Sequence, residues 1–243
     1  MSITDQRSQR TVRSFVLRTG RITMSQKRAF EQHWQRFGLS VDAGHCNAAQ
    51  VFARQAPLIL EIGFGMGESL LNMARQAPEN DFIGIEVHTP GVGRLLNNLA
   101  TAEINNVRIY HHDAIAVLQQ CIVDSSLQRV QLFFPDPWPK KKHHKRRIVQ
   151  TEFLDLVWRK LQPAGIFHLA TDWQAYAQHM LDVFALRADK FSNCAGAGHV
   201  SPRPDYRPLT KFEQRGRRLG HGVWDLLYEK VAETAGASSH WAR

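Results

Sequence analysis

Acidic residues stand at three points where an apolar run of the sequence gives way to a turn. Glu61 closes the run LILEI, Glu86 stands 19 residues after Gly67, and Asp113 follows the run VRIYHH. Because the carboxyl ends of parallel strands meet at one edge of a sheet, we expect these carboxylates to face one crevice. Carboxylates accept hydrogen bonds from ribose hydroxyls and attract ammonium groups. The three acids therefore predict a pocket for an adenosine with a cationic amino-acid tail, and S-adenosylmethionine is that ligand.

A glycine turn follows the first of these acids. Gly63, Gly65 and Gly67 have the spacing GxGxG, which permits a tight turn and a close approach of a ligand to the backbone. A nicotinamide dinucleotide enzyme would show GxGxxG, and Glu61 beside the turn would repel a pyrophosphate. An NAD(P)-dependent oxidoreductase is therefore disfavoured. Taken alone, this motif is also compatible with a plain strand-to-helix turn.

A proline-rich turn, FPDPWP, follows the fourth apolar run and holds Asp136 between two prolines. Proline restricts the backbone, so this carboxylate is expected to be rigid at the mouth of the pocket. A rigid carboxylate there can hydrogen-bond the edge of a purine, while Trp138 is expected to pack. The turn is also loosely similar to the acid-Pro-Pro-aromatic turn of enzymes that methylate amino groups. Methylation of an exocyclic amino group is therefore a second interpretation.

A strongly basic run, KKKHHKRR at residues 140–147, comes directly after that turn. Cations at this density suit a phosphate backbone, and the alternative is a solvated charged surface. The two histidines are not expected to bind a metal, because cations surround them and no Cys or acid lies nearby in sequence.

Two later segments carry polar groups beside apolar runs. Asp172 follows the fifth run and could cap the next helix, contact a substrate, or do both. The segment PLTKFE at residues 208–213 combines a hydroxyl, a cation, a ring and an acid, which are groups that can grip a nucleotide. On composition it could equally be an ordinary polar loop.

Apolar runs and segments of helical periodicity alternate from Pro57 onward. This alternation predicts an α/β fold with a doubly wound, mostly parallel sheet covered by helices on both faces. Strands are predicted at residues 58–62, 82–87, 107–111, 130–134, 166–170 and 223–231, and helices at 24–37, 68–76, 91–104, 114–122, 148–161 and 173–186.

The composition limits the classes of protein to which the chain can belong. It has 243 residues, 43% of them hydrophobic, with 31 Lys+Arg against 22 Asp+Glu. These values predict an ordinary core and an anionic partner, with nucleic acid first. We expect no secretory signal, no membrane span and no disulfide framework, and hence a cytoplasmic location. We predict a basic arm with a short helix at residues 1–40, a catalytic domain at 41–231 and a flexible tail at 232–243.

Six motifs, in order, closely resemble the bacterial tRNA (guanine-N(7)-)-methyltransferases. They are EIGFGMG, IGIEVHTPGVG, HHDA, FPDPWPKKKHHKRR, ATDW and RPLTKFEQRG, and the resemblance extends over about residues 13–231. PDPWPKKKHHKRR and TKFE are specific motifs, whereas many methyltransferases share the glycine turn. The resemblance implies a class I methyltransferase-like (Rossmann-like) fold, with seven strands of which the last is antiparallel.

The resemblance also implies roles for individual residues. The donor would be S-adenosylmethionine, leaving S-adenosylhomocysteine, and the substrate a guanine in the variable loop of tRNA. Separately, we expect no metal, and a monomer or homodimer. Glu61, Glu86, Asp113 and Asp136 would contact the donor, and Asp136 would lie near the reacting centre. The implied substrate contacts are Lys140, Asp172, Thr210, Lys211, Phe212 and Glu213. The implied RNA contacts are Lys142, His143, His144, Lys145, Arg146 and Arg147. A non-catalytic RNA-binding module is a third interpretation, against which the intact acids argue.

Overall fold

Strands and helices alternate through the part of the chain that the computed structural model describes, residues 22–209, 213 and 222–232. The strands are β1 (Gly38–Leu39), β2 (Leu58–Ile62), β3 (Asp81–Ile85), β4 (Val107–Tyr110), β5 (Leu127–Phe133), β6 (Leu161–Thr171), β7 (Phe191–Asn193) and β8 (Trp224–Lys230). The helices are α1 (Met24–Phe37), α2 (Ala48–Phe52), α3 (Glu68–Gln76), α4 (Thr89–Thr101), α5 (Ala114–Gln120), α6 (Thr151–Lys160) and α7 (Gln174–Ala185). Val41–Ala43 and Lys141–Arg146 form short 3-10 helices.

The strands form one sheet with the order β1-β4-β3-β2-β5-β6-β8-β7. All neighbours are parallel except β8, which is antiparallel to both β6 and β7. The chain builds one half of the sheet outward from β2 and then returns to add β5 on its other side. Ligands of such sheets bind where the order reverses, beyond the carboxyl ends of the strands. The reversal here lies between β2 and β5.

The local sequence explains why the central elements form. Every residue of β2 and of β3 is buried, as expected for parallel strands covered on both faces. Helix α1 begins with a capping box in which the Thr23 hydroxyl accepts from the backbone N–H of Gln26, and the Gln26 side chain accepts from the N–H of Thr23. These local preferences agree with the tertiary arrangement.

The apolar core is divided by the sheet into two parts. One part packs β2, β5 and β6 against α5, α6 and α7, with Phe153, Phe167 and Phe184 among its members. The other packs the opposite face against α1, α3 and α4, with Phe37, Leu70 and Leu95 among its members. Helices on both faces leave the carboxyl edge of the strands as the place where side chains can reach a ligand.

The predicted doubly wound, mostly parallel sheet with an antiparallel last strand is confirmed. Helix α1, strand β2 and helix α3 have the predicted bounds, and the other predicted elements differ by a few residues at their ends. The described residues contain eight strands instead of the seven that the resemblance implied, because β1 joins the edge beside β4. The six strands predicted from residues omitted β1 and β7, since two or three residues are too short to show a periodicity.

Candidate active site

The glycine turn after β2 has a backbone that other residue types adopt with difficulty. Gly63, Gly65 and Gly67 have φ angles of 74°, 57° and 76°, in the left-handed region that favours glycine. Helix α4 approaches the turn closely, because a Cβ on Gly91 would lie 2.0 Å from the carbonyl oxygen of Gly65. The glycines therefore shape the turn and let α4 pack against it.

Glu86, just after β3, is held by backbone groups of its surroundings. One carboxylate oxygen accepts from the N–H of Gly65 at 2.7 Å, and the other accepts from the N–H groups of Val87 at 2.7 Å and His88 at 2.9 Å. A carboxylate offers about four lone-pair positions, so roughly one acceptor position is left for a ligand. Glu86 thus fixes the glycine turn and still presents an acceptor at the pocket.

Glu61, at the end of β2, lies in a different electrostatic situation. Its side chain is only 2% exposed, and among the described residues Oε2 has no hydrogen-bond partner. Burial, followed by the nearby charge of Glu86, raises the pKa of Glu61 to about 8. A buried acceptor without a partner carries a free-energy cost that a cationic ligand would remove. The site thus fits a ligand that brings a positive charge to β2.

Two neighbouring cavities lie at the carboxyl edge, and both are lined by residues at the ends of β2 and β5. The first, of about 240 Å³, is lined by Glu86, Asp113 and Asp136 with apolar residues between them. The second, of about 440 Å³, is lined by Glu61, the glycine turn and Arg207. Residues that line both cavities are Gly63, Phe133 and Phe134. The structure therefore brings the four predicted acids to one continuous cleft.

Asp113 has a structural function at the first cavity as well as a position facing it. It is the N-cap of α5, where its Oδ1 accepts from the backbone N–H of Ala116 at 3.0 Å. Capping residues of this kind stabilise a helix by about 1 kcal/mol. The remaining carboxylate oxygen has no hydrogen bond to the other described residues, so capping and ligand contact are compatible here.

Two bulky residues of the FPDPWP turn have a backbone conformation that such residues rarely adopt. Phe134 has a φ of 53° and Trp138 a φ of 44°, and between them Asp136 is exposed. Each such conformation costs on the order of 1–3 kcal/mol and persists only where the surroundings enforce it. The backbone N–H of Phe134 donates to the carbonyl of Ala170 at 2.8 Å. The carboxylate of Asp136 is thus presented by a turn with little conformational freedom.

The basic run 140–147 divides into exposed and buried members. Lys140, Lys141, Lys142, Lys145 and Arg146 are exposed, as the prediction of phosphate contacts requires. Partial burial and the positive charges of Arg146 and the neighbouring lysines lower the pKa of His143.

Arg147, the last residue of the run, lies inside the protein. It is buried, its Nε donates to the carbonyl of Pro137 at 2.9 Å, and its guanidinium lies 4.8 Å from the ring centroid of Tyr176. The nitrogen Nε2 of His144 is 3.1 Å from the same guanidinium. Arg147 therefore fastens the basic run to the proline turn, and its predicted contact with RNA would need this packing to open.

The remaining predicted substrate residues are less uniform. Asp172 is half-buried after β6, but the helix α7 is capped at Trp173 without a side-chain bond, so a capping function for Asp172 is wrong. Thr210, Lys211 and Phe212 lie outside the described residues. Glu213 is buried, with both carboxylate oxygens accepting from Arg207.

Two features of the cleft were not predicted from the sequence. Arg207 lines the second cavity, and Asp225 on β8 pairs with it. Arg207 opens the motif RPLTKFEQRG, and Asp225 is a buried residue of β8. The motif and an acid within a predicted strand are the signals that could have indicated this pair, because charged residues are rarely buried unless they are paired.

Among residues 22–209, 213 and 222–232, no group of three or more His, Cys, Asp and Glu side chains is arranged to hold a metal ion. In the same part of the chain, no helix combines the length and the apolar character needed to cross a membrane.

Comparison with known proteins gives the family. Residues 55–226 match a protein family described as "Putative methyltransferase". A tRNA (guanine-N(7)-)-methyltransferase of Shewanella sp. (strain MR-4) is 58% identical over 223 residues, which are 92% of this chain and 93% of the relative. The enzyme of the same name from Shewanella frigidimarina (strain NCIMB 400) is 56% identical over the same shares of the two chains.

Solved structures agree with the fold at much lower identity. The 16S rRNA methyltransferase KamB has a TM-score of 0.56 at 13% identity, covering 77% of this chain and 95% of that one. A 16S rRNA (adenine(1408)-N(1))-methyltransferase from Catenulisporales acidiphilia, solved with its cosubstrate, has a TM-score of 0.53 at 14% identity, covering 82% and 94%. From the full-length similarity to the Shewanella enzymes, we conclude that the chain belongs to the tRNA (guanine-N(7)-)-methyltransferase family.

Proposed function

We propose that this protein transfers a methyl group from S-adenosylmethionine to N(7) of a guanine in the variable loop of tRNA. The observation that carries the proposal is the buried Oε2 of Glu61 beside the glycine turn, which has no hydrogen-bond partner in the described part of the chain, in a protein of this family. An acceptor of this kind fits the cationic amino-acid end of that donor. The exposed cations of the basic run suit the phosphates of a nucleic acid.

The proposed donor contacts are divided between the two cavities. Glu61 would receive the ammonium or sulfonium charge, and Glu86 would accept from a ribose hydroxyl with its remaining lone pair. Asp113 would face the adenine amino group from the start of α5. The full proposed set is Glu61, Gly63, Gly65, Gly67, Glu86, Asp113 and Asp136. The donor-binding cleft and the reacting base would then meet at Asp136.

The chemistry asks the protein mainly for alignment. Guanine N(7) carries a lone pair and no proton, so its methylation does not need a general base. When bound, S-adenosylmethionine would supply an activated methyl group on a sulfonium sulfur and leave as S-adenosylhomocysteine. The residues of the cleft must hold the base in line with that methyl group, which is a matter of proximity and orientation.

Asp136 is the proposed catalytic residue. Positive charge arrives on the guanine as the new bond forms, and a fixed carboxylate close to the base stabilises that charge. The two left-handed residues that flank the turn, Phe134 and Trp138, keep Asp136 from relaxing away. Asp172 is the second candidate for an acceptor to the N–H edge of the base. We propose Lys140, Asp172 and residues 210–212 as the substrate contacts, and a supporting function for Glu213, whose two carboxylate oxygens already accept from Arg207.

Affinity for tRNA is proposed to come from the exposed cations and specificity from the acids. Lys142, Lys145 and Arg146 are the exposed members of the predicted RNA-binding set, while Arg147 and His144 support them from within. The division into an arm at residues 1–40, a domain at 41–231 and a tail at 232–243 stays a prediction. The cytoplasmic location and the monomer or homodimer also stay predictions.

The decisive experiment is methyl transfer from labelled S-adenosylmethionine to bulk tRNA, with mapping of the modified base. Borohydride reduction followed by aniline should cleave the product at one guanine of the variable loop. Label in tRNA that resists this cleavage would indicate methylation of an amino group instead. Donor binding without any transfer would favour the non-catalytic RNA-binding module. The Asp136→Ala variant serves as the inactive control.

A further inference from the structure

A buried ion cluster lies beside the second cavity, and we define it by Arg207, Glu213 and Asp225. The guanidinium of Arg207 is only 1% exposed and donates to both oxygens of Glu213, at 2.7 and 3.1 Å. It also donates to both oxygens of Asp225, at 2.6 and 2.8 Å. One arginine therefore joins two carboxylates through paired, geometrically specific hydrogen bonds.

The cluster is anchored to the centre of the sheet. His168 on β6 lies with Nε2 2.8 Å from the Oδ1 of Asp225 and with Nδ1 3.0 Å from the hydroxyl of Tyr206. The guanidinium of Arg129 on β5 lies 3.8 Å from the ring centroid of Tyr206. Because β5, β6 and β8 are neighbours in the sheet, the segment that contains Tyr206 and Arg207 is held against a rigid surface.

The cluster also contacts the catalytic turn. The guanidinium of Arg207 lies 5.9 Å from the ring centroid of Phe133 and 5.7 Å from that of Phe134. Phe134 directly precedes the Pro135–Asp136 dipeptide and has the left-handed backbone described above. Arg207 is therefore placed to transmit the position of Glu213 to the turn that presents Asp136.

We propose that Arg207 is a positioning residue for methyl transfer, which fixes Glu213 and the proline turn relative to each other, and that Glu213 acts through Arg207 instead of touching the guanine. The inference rests on the proposed function and refines it. Both Glu213 oxygens accept from Arg207, and the side chain is buried. Freeing Glu213 for the base would leave a guanidinium without that partner inside the protein, at a high cost.

A double-mutant cycle distinguishes two candidate functions of Glu213: positioning through Arg207 and direct contact with the substrate. The variants are Glu213→Gln, Arg207→Lys and their combination, with kcat expressed per donor-binding site so that misfolded protein is not counted. We expect each single variant to lower kcat at least tenfold, to change KM for tRNA by less than about threefold, and the double variant to be no worse than the poorer single one. Multiplying effects, or a loss confined to KM, would mean that Glu213 contacts the substrate independently and would overturn the proposal.

A matched control is available on the far side of the fold. Arg187 forms the same forked pair with Asp155, at 2.8 and 3.0 Å, on the surface between α6 and α7. Arg187→Lys and Asp155→Asn should leave kcat within about twofold of the unchanged protein. A tenfold loss in these controls would show that any forked pair affects turnover and would overturn the specific assignment to Arg207.

Hydrogen exchange tests the positioning without any turnover. In Glu213→Gln, the backbone amide of Arg207, which donates to the carbonyl of Pro204 at 3.1 Å, should exchange at least fivefold faster. The amide of Arg187 should not change. Unaltered exchange at Arg207 would overturn the proposal. If the unchanged protein fails to methylate tRNA, the proposed function falls, and the exchange result still decides whether Glu213 holds Arg207 in place.

Discussion

Two sets of buried carboxylates border the same cleft and differ in what neutralises them. On one side, within residues 22–209, 213 and 222–232, Glu61 and Glu86 have no cationic partner and Oε2 of Glu61 has no hydrogen bond. On the other side, Glu213 and Asp225 share the guanidinium of Arg207. Burial and residue type are the same in both sets. The difference in their partners therefore shows which acids are available to a ligand.

The physical reason lies in the cost of burying a charge. A buried carboxylate needs a partner or must become neutral, and the pKa records which of the two occurs. Burial raises the pKa of Glu61 to about 8, whereas for Asp225 the hydrogen bonds from His168 and Arg207 outweigh burial, so that its pKa is lowered. Glu61 therefore lacks a partner that a cationic ligand can supply, whereas the second set is already paired within the protein.

We expect the largest loss of activity from a substitution of Asp136, the exposed acid between the two sets. Asp136→Ala should lower methyl transfer by about a hundred- to a thousandfold, the size observed when one stabilising group is removed from a transition state. Thermal unfolding should shift little, because the carboxylate is exposed. Turnover close to that of the unchanged protein, measured with labelled donor and tRNA, would contradict the catalytic assignment.

If the unpaired acids serve the donor, affinity for tRNA must come from elsewhere. Changing Lys141, Lys142, Lys145 and Arg146 together to Ser should weaken tRNA binding about a hundredfold near 0.15 M salt, because up to four exposed phosphate contacts are lost. The log–log salt slope should fall by about 0.7–0.9 for each contact. Donor affinity should stay nearly constant. Parallel salt titrations of equal slope would show that these cations do not touch RNA.

Among the unpaired acids, Glu86 shapes the glycine turn, and its removal tests whether this set binds the donor. Glu86→Ala removes acceptors from three backbone N–H groups and from the proposed ribose contact. Binding of S-adenosylmethionine should weaken by about 3 kcal/mol, on the order of a hundredfold, in calorimetry. Binding of tRNA should persist. Unchanged donor affinity would exclude Glu86 from the donor site.

A substitution in the paired set should lower the stability of the fold and leave donor affinity nearly unchanged. Asp225→Asn breaks a buried pair, which costs about 3 kcal/mol and should lower the midpoint of thermal unfolding by roughly 6–12 °C. Donor affinity should change by less than about threefold. Because the pKa of Asp225 is lowered in the folded protein, the stabilisation is present at neutral pH and is lost as the pH falls through that pKa. A large loss of donor affinity with unchanged stability would reverse the comparison.

The most diagnostic measurement concerns the protonation of Glu61. Its pKa is about 8 against 4.5 for the ordinary group, so its contribution to stability is present at low pH and declines as the pH rises from about 4.5 to 8. Glu61→Gln stays neutral, so the difference between the two unfolding midpoints should be constant below about pH 4.5 and should then shift in favour of the variant up to pH 8.

Binding of the donor offers a second measurement on Glu61. If a cationic ligand pairs with the ionised carboxylate, binding near pH 7 should release a proton from the unchanged protein and not from Glu61→Gln. Calorimetry in buffers of different ionisation enthalpy detects that proton. Equal proton release by both proteins would mean that Glu61 is not the group that meets the ligand's charge.

Periodicity and turn chemistry made much of the fold predictable. The apolar run of β2 and the helical spacing of α3 gave their bounds, because burial on both faces of a parallel sheet leaves a continuous apolar run. Strands β1 and β7 escaped prediction, since short edge strands depend on a neighbour and carry little pattern of their own. The 3-10 helix Lys141–Arg146 was not predicted either, because a run of cations contains no apolar periodicity that would indicate a helix.

The candidate site, like the fold, was predictable only in part. By itself the sequence determined that Glu61, Glu86, Asp113 and Asp136 meet at one edge, because each follows a parallel strand and such ends converge. Only the tertiary structure decided which charges have partners.

That decision depends on residues far apart in the chain. Arg147 is buried against Tyr176 and Pro137, and Glu213 is joined through Arg207 to a strand 12 residues further along. A charge looks alike in the sequence whether it faces water, a phosphate or a buried partner. The pairing energy exists only once the sheet brings β5, β6 and β8 side by side, and that energy separates the acids that can bind a ligand from those that hold the fold.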